Sequence, residues 1–325
     1  MPRAVIADQF GPPESYELRE FDPGPPPPGQ VRVRIKAAGI SYVDVLTAMG
    51  KYQFHPPLPF IPGSEYAGVV EALGEGVTQF KLGDRVNGSG MGGILAEVNN
   101  FPAANVNKVP DNLDFEAAAI YPVNYLTGWH ALVDRARAQT GETLLVLGAA
   151  GGTGFAAIQV GKYLGLRVIA SASSEAKRAA ALAGGADAAV ETGAADWRDQ
   201  VKAANGGKAI DIVFDPVGGD ATDLAFRTLG YDGRHLVIGF PAGMTALKTN
   251  LPLLKCASLV GVQVRGAGID RPELMEAGRK AVLKMVEAGA VKPAIARRYR
   301  IEDYAKAMHK AFEGKEAGRV IVGLD

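Results

Sequence analysis

Thr143-Leu144-Leu145-Val146-Leu147-Gly148-Ala149-Ala150-Gly151-Gly152-Thr153-Gly154-Phe155 is the stretch on which the fold turns. Its opening is an apolar run of the kind a parallel strand needs when both faces are covered, and the residues from Phe155 to Leu164 repeat with helical spacing. A glycine turn gains meaning from that strand-to-helix context. It must reverse tightly, let a pyrophosphate approach the backbone, and offer that anion the free N–H groups and positive end of the following helix. Side chains at Gly151 and Gly154 would obstruct the approach and the packing of helix on strand. Ala149 stands where the pattern G-x-G-x-x-G has its first glycine, a small change in size.

Downstream the texture repeats. Arg167–Ala170, Ala188–Val190, Ile210–Phe214, His235–Ile238 and Ser258–Val262 read as strands, with a helix over Ala176–Ala183. The expected fold class is therefore α/β, with a doubly wound, Rossmann-type parallel sheet. Upstream the chain reads as irregular β structure: Val31–Lys36 alternates at period two, and Tyr66–Glu71 and Asp84–Val86 are short strands between turns. The four prolines of the segment from His55 to Pro62 require a fixed loop there. After Arg271 come a helix (Glu273–Ala288), a strand (Ile295–Tyr299), a helix (Ile301–Phe312) and a last strand (Arg319–Leu324).

Composition divides the chain in the same way. Of 41 glycines, 18 lie between Gly141 and Gly243, whereas 12 of the 20 prolines lie within the first 62 residues. Lysine plus arginine and aspartate plus glutamate both total 35, so no field of one sign draws the chain to nucleic acid or to a membrane surface. The one cysteine, Cys256, cannot form an intrachain disulfide, and no apolar stretch approaches the ~20 residues that span a bilayer. A cytoplasmic location is expected.

An NAD site places a carboxylate at the end of the second strand to hold the adenosine ribose. That region here is Ser171-Ala172-Ser173-Ser174-Glu175-Ala176-Lys177-Arg178. Small hydroxyls and two cations at that place suit a 2′-phosphate, so NADPH is expected. Two other readings stand beside it: Ser173 or Ser174 caps the next helix, and Glu175 serves NADH.

The residues resemble a family, the zinc-independent quinone oxidoreductases (zeta-crystallin-like) of the medium-chain dehydrogenase/reductase superfamily. The resemblance is carried by Ala37–Asp44, Pro59-Phe60-Ile61-Pro62-Gly63-Ser64-Glu65-Tyr66-Ala67-Gly68, Gly83–Val86, Asn124–Thr127 and the glycine turn. It implies a GroES-like β-rich catalytic domain formed by 1–122 and 268–325 around a Rossmann domain at 123–267. In zinc members of the superfamily, metal ligands stand at the places of Ser41 and Ser64, and four cysteines hold a second zinc. With serines at the two ligand positions and one thiol in the chain, no metal site is expected. His55, His130, His235 and His309 lack ligand spacing and read as surface or packing residues.

Without a Lewis acid, hydride transfer to an electron-poor conjugated carbonyl is the accessible chemistry, since the acceptor itself delocalises the charge. The resemblance implies an NADPH-dependent quinone oxidoreductase. Alternatives are an NADPH-dependent enoyl or acryloyl thioester reductase, and a catalytically weak NADPH-binding structural or sensor protein. It further implies that Ser41, Tyr42 and Tyr52 border the substrate cleft. Asp44, Thr127, Gly148, Ala150, Gly151, Gly152, Thr153, Gly154, Ser173, Ser174, Lys177, Val217, Gly239, Phe240, Val262 and Val264 would meet the cofactor. Many relatives have tyrosine at the place of Thr192 and asparagine at that of Ser41. Asp44 also reads as a brace for the helix beginning beside it, and Glu65 as the partner of a nearby cation. A homodimer through the edge strand Ser258–Val264 is expected.

Overall fold

The computed structural model describes residues 1–324, which form two units: 1–123 with 293–324, and 124–292.

The unit 124–292 holds a parallel sheet of strands β8 (Thr143–Val146), β9 (Arg167–Ala172), β10 (Ala188–Glu191), β11 (Ile210–Asp215), β12 (Leu229–Val237) and β13 (Ser258–Gly261). Their order is β10-β9-β8-β11-β12-β13, and every neighbouring pair is parallel. This is the doubly wound order, with the reversal between β8 and β11. Leu144, Leu145 and Val146 are wholly buried, as an apolar run sandwiched between helices requires. The helices are α3 (Gly152–Tyr163), α4 (Glu175–Ala183), α5 (Trp197–Ala204), α6 (Asp220–Phe226), α7 (Asn250–Lys255), α8 (Val264–Asp270) and α9 (Pro272–Glu287). Leu145, Ile169, Val213, Trp197 and Phe226 belong to one buried cluster.

The other unit is built on a mostly antiparallel sheet. Its strands are β3 (Gln30–Ile40), β4 (Glu65–Leu73), β5 (Arg85–Ser89), β6 (Val98–Pro102), β7 (Val106–Lys108), β14 (Ile295–Arg300) and β15 (Arg319–Gly323), in the order β14-β15-β3-β4-β5-β7 with β6 on β3. A separate hairpin pairs β1 (Arg3–Ile6) with β2 (Glu17–Glu20). Helix α1 (Tyr42–Ala48) follows β3, and α10 (Tyr304–Glu313) precedes β15. Over Val31–Ile35, β3 alternates buried Val31, Val33 and Ile35 with half-buried Arg32 and exposed Arg34, the period-two pattern that marks it in the sequence.

Three expectations are corrected. The second junction falls at 292/293 rather than 267/268, because α9 packs within the parallel-sheet unit: a Cβ on Gly278 would meet Leu126 at 2.8 Å and Trp129 at 3.4 Å. The first falls at 123/124 rather than 122/123, inside a helix, α2 (Phe115–Trp129), to which the sequence reading assigned no element. The edge strand ends at Gly261, so Val262 lies beyond it and Val264 opens α8.

Candidate active site

The glycine turn connects β8 to α3. Gly148 adopts φ +55°, a left-handed conformation that glycine enters without strain. A Cβ on Gly154 would stand 2.4 Å from the Gly148 carbonyl oxygen and 2.9 Å from its carbonyl carbon, so helix and turn touch backbone to backbone. Gly151 is the N-cap of α3 and supplies no side-chain cap. The first N–H groups of α3 have no partner inside the helix and remain available to an anion. Gly151 is exposed, Gly152 and Thr153 are half-buried, and the Thr153 hydroxyl donates to Asn124 Oδ1 at 3.0 Å. Ala149 and Ala150 are buried under the turn. The turn thus has the features a pyrophosphate requires.

Beyond β9, Ser174 caps α4 by accepting from the Lys177 N–H at 3.3 Å, so its hydroxyl serves the helix, one of the readings open from the sequence. Ser173 and Glu175 are exposed and Lys177 is half-buried, its ammonium lowered by partial burial. Arg178 reaches Glu191 at 3.8 Å and the Ala172 carbonyl at 3.5 Å. Thr192 binds Ser171 Oγ at 2.7 Å, and the buried Trp197 indole donates to the same oxygen at 2.9 Å. No residue pattern in the sequence announced that network, whose members lie in β9, in the turn after β10 and in α5.

At the carboxyl ends of β11 and β12 two turns lie side by side. The buried Asp215 receives N–H bonds from Val217 and Gly218 on Oδ1, both at 2.9 Å, and bonds from Thr222 at 2.6 Å and His235 at 3.0 Å on Oδ2. Burial pushes this carboxyl up, but the His235, Gly218 and Thr222 bonds outweigh it and hold the group below the usual range. Val217 Cγ2 would lie 2.8 Å from a Cβ on Gly148, which puts the turn against the glycine loop. Gly239 is half-buried, Phe240 exposed, and Val262 buried with its N–H on the Val237 carbonyl. Thr127 is half-buried in α2.

Ser41, Tyr42, Asp44 and Tyr52 belong to the β-rich unit. Ser41 and Asp44 form a capping box at the start of α1: Ser41 N and Oγ each donate to Asp44 Oδ2 at 2.7 Å, and Asp44 N returns a bond to Ser41 Oγ at 3.2 Å. Ser64 also bonds the Asp44 carboxyl. Asp44 is thus a brace, with its carboxyl turned to the two serines. Arg319 Nη2 donates to Glu65 Oε2 at 2.6 Å, with both side chains buried, so Glu65 has the cationic partner expected of it. Burial pushes both carboxyls up against the pull of one shared guanidinium. The Tyr42 ring stacks on Phe312 at 5.1 Å, and Tyr52 is half-buried in the loop after α1.

A β-rich unit drawn from both chain ends, with a doubly wound sheet and its glycine turn inserted, is the architecture of the medium-chain dehydrogenases/reductases. Residues 27–111 match the alcohol dehydrogenase GroES-like domain, and residues 152–281 match the zinc-binding dehydrogenase domain. The chain is 33% identical over 324 residues to quinone oxidoreductase-like protein 2 of Rattus norvegicus, covering 99% of this chain and 92% of that one. Among solved structures, a probable oxidoreductase from Mycobacterium abscessus superimposes with TM-score 0.90 at 32% identity, covering 99% of both chains. The quinone oxidoreductase of Escherichia coli, solved in complex with NADPH, gives 0.86 at 26%, again over 99% of both. The protein belongs to the quinone oxidoreductase-like family of the medium-chain dehydrogenase/reductase superfamily.

One matched domain is described by zinc, and the residues here do not fit that metal. Ser41 and Ser64 are hydroxyls bonded to Asp44, Glu65 is paired with Arg319, and Cys256 is exposed beyond α7 in the other unit. Among the described residues no cluster of three or more histidine, cysteine, aspartate or glutamate side chains is placed to hold a metal. No helix among them is long and apolar enough to cross a membrane.

Proposed function

We propose that this protein reduces quinones or related conjugated carbonyls with NADPH, without a protein-bound metal. The observation that carries the reading is the uncapped start of α3, with its N–H donors free of side-chain competition and glycines where a pyrophosphate approaches. The NADPH complex of the Escherichia coli relative supports the same reading. When bound, the nicotinamide supplies a hydride to the electron-poor acceptor. Gly151–Gly154 would hold the pyrophosphate. Lys177, with Ser173 beside it, would neutralise the 2′-phosphate, an interaction NADH lacks. Ser41, Tyr42 and Tyr52 would border the acceptor, with Ser41 and Tyr42 kept in place by the capping box and by the stack on Phe312.

Cofactor oxidation followed with 1,4-benzoquinone, 9,10-phenanthrenequinone, an alkenal and crotonyl-CoA tests the proposal. Turnover with the quinones is expected. Turnover with crotonyl-CoA alone would replace it by thioester reduction, and binding of NADPH without any turnover by a sensor or structural role.

The protein is further proposed to be a homodimer. β13 is an edge strand with Leu259 49% exposed, and α7, just before it in the chain, leaves Leu253 and Leu254 more than 70% exposed. Light scattering should return about twice the 34.0 kDa of one chain, and a monomer mass would refute the assembly.

A further inference from the structure

His235 lies on β12, one strand in from the edge of the parallel sheet, fully buried and paired with Leu259 of β13 and Val213 of β11. Its Nε2 faces Asp215 Oδ2 at 3.0 Å, and its ring stacks on Phe226 with centroids 5.9 Å apart. Its Nδ1 is buried without a hydrogen-bond partner. The carboxylate can only accept, so Nε2 is the donor of this bond, and Nδ1 faces no partner. A buried imidazole with one nitrogen unsatisfied is costly in a sheet where leucine or valine would pack without loss. That cost needs a compensating role.

The role is visible in what His235 does to Asp215. With Thr222 and His235 both on Oδ2, Oδ1 is left to receive the N–H groups of Val217 and Gly218. Four donors fix the carboxylate in one orientation, and that orientation fixes the turn. Gly218 and Gly219 take φ +74° and +63°, and a Cβ on Gly218 would lie 2.7 Å from Phe240 Cα. Gly219 N–H donates to the Gly243 carbonyl at 2.8 Å and Ala242 N–H to the Val217 carbonyl at 2.9 Å, which ties this turn to the one after β12. Val217 meanwhile abuts Gly148.

The sheet order says which part of a dinucleotide this serves. β9, which leads into Lys177, lies on one side of β8; β11 and β12 lie on the other. A dinucleotide bound across the reversal, with its adenosine half at β9, lays its nicotinamide half over the β11 and β12 turns. We infer that His235, acting through Asp215, is a positioning residue for the nicotinamide half of the cofactor: it holds the Val217–Gly219 turn at the height that half requires. The inference rests on the dinucleotide reading above and adds to it a residue buried out of reach of any ligand.

The test compares His235→Leu and His235→Gln with the natural protein in calorimetric binding of NADPH and of 2′,5′-ADP, which carries only the adenosine half. If NADH binds more tightly than NADPH, NADH and 5′-AMP replace the pair. Leucine removes the donor to Asp215 and should weaken NADPH roughly tenfold, the value of one hydrogen bond to a charged group. Binding of 2′,5′-ADP should stay within about twofold, which also reports that the fold is intact. Glutamine, whose amide can donate as Nε2 does, should recover most of the affinity. In ¹⁵N spectra of the natural protein His235 should appear as the Nε2–H tautomer.

Equal weakening of NADPH and 2′,5′-ADP by leucine would reduce His235 to a packing residue, and unchanged NADPH binding or an Nδ1–H tautomer would overturn the inference outright. If the natural protein binds none of these nucleotides, the dinucleotide reading itself fails and takes this inference with it, a result distinct from the variant outcomes.

Discussion

Gly154→Ala puts one methyl group where the structure has no room. Its Cβ would meet Gly148 O at 2.4 Å, Gly148 C at 2.9 Å and Ala149 Cα at 3.0 Å, all backbone atoms that cannot rotate away. Relief requires the turn to move off the helix, at a cost of ~3 kcal/mol, the upper end for one added methyl in a packed site. Alanine returns up to ~1 kcal/mol through its helix propensity, so steric strain wins by ~2 kcal/mol. For a unit of this size that lowers the melting temperature by roughly 4–8 °C. Both tryptophans, Trp129 and Trp197, lie in the parallel-sheet unit, so their fluorescence follows its melting directly. Nucleotide affinity should also fall more than tenfold, since the displaced turn no longer aims its N–H groups at the anion. Gly151→Ala is the control: its φ is −75°, and its Cβ would meet Gly148 O at an ordinary 3.4 Å. That variant should melt like the natural protein and lose affinity only, because its methyl stands at the exposed mouth of the anion site. If Gly154→Ala melts within about 1 °C of the natural protein and binds NADPH normally, the backbone contact does not set the site.

Lys177→Ala should weaken NADPH about tenfold or more while leaving NADH within twofold, because it removes a cation facing a phosphate that only NADPH carries; equal loss for both would refute the assignment. Arg319→Met leaves Glu65 buried and unpaired and should cost ~3–5 kcal/mol in urea unfolding, with much of it recovered when Glu65→Gln is added. A double variant no more stable than Arg319→Met would show that the charge on Glu65 is not the source of the loss. Asp44→Asn tests the pH dependence. Burial holds the Asp44 carboxyl above the ordinary aspartate value of 3.8, so its contribution to stability is complete below that pH and is lost as pH rises through the folded value. Scans across pH 4–8 should therefore show the natural protein losing ground to the variant as pH rises, and a constant difference would contradict the assigned direction.

The apolar run before Gly148 and the helical spacing after Gly154 determine strand, turn and helix locally, so the parallel sheet and the glycine turn between β8 and α3 were legible in the sequence. Ser41 and Ser64 in place of metal ligands, and a single thiol, were equally plain, because they depend on which atoms the side chains carry. Tertiary structure decided the rest. The helix from Phe115 to Trp129, with Pro122 inside it, was assigned to no element from the sequence. Arg319 meets Glu65 across 254 positions of sequence, and no local pattern encodes that pair. His235 read as an ordinary packing histidine until the β11–β12 register set it against Asp215. Asp44 stood open as cofactor contact or helix brace, and the capping box turned its carboxyl to Ser41. The division follows from range: backbone propensity and side-chain chemistry act within a few residues and can be read along the chain, while burial and hydrogen-bond partnership arise only when distant segments meet.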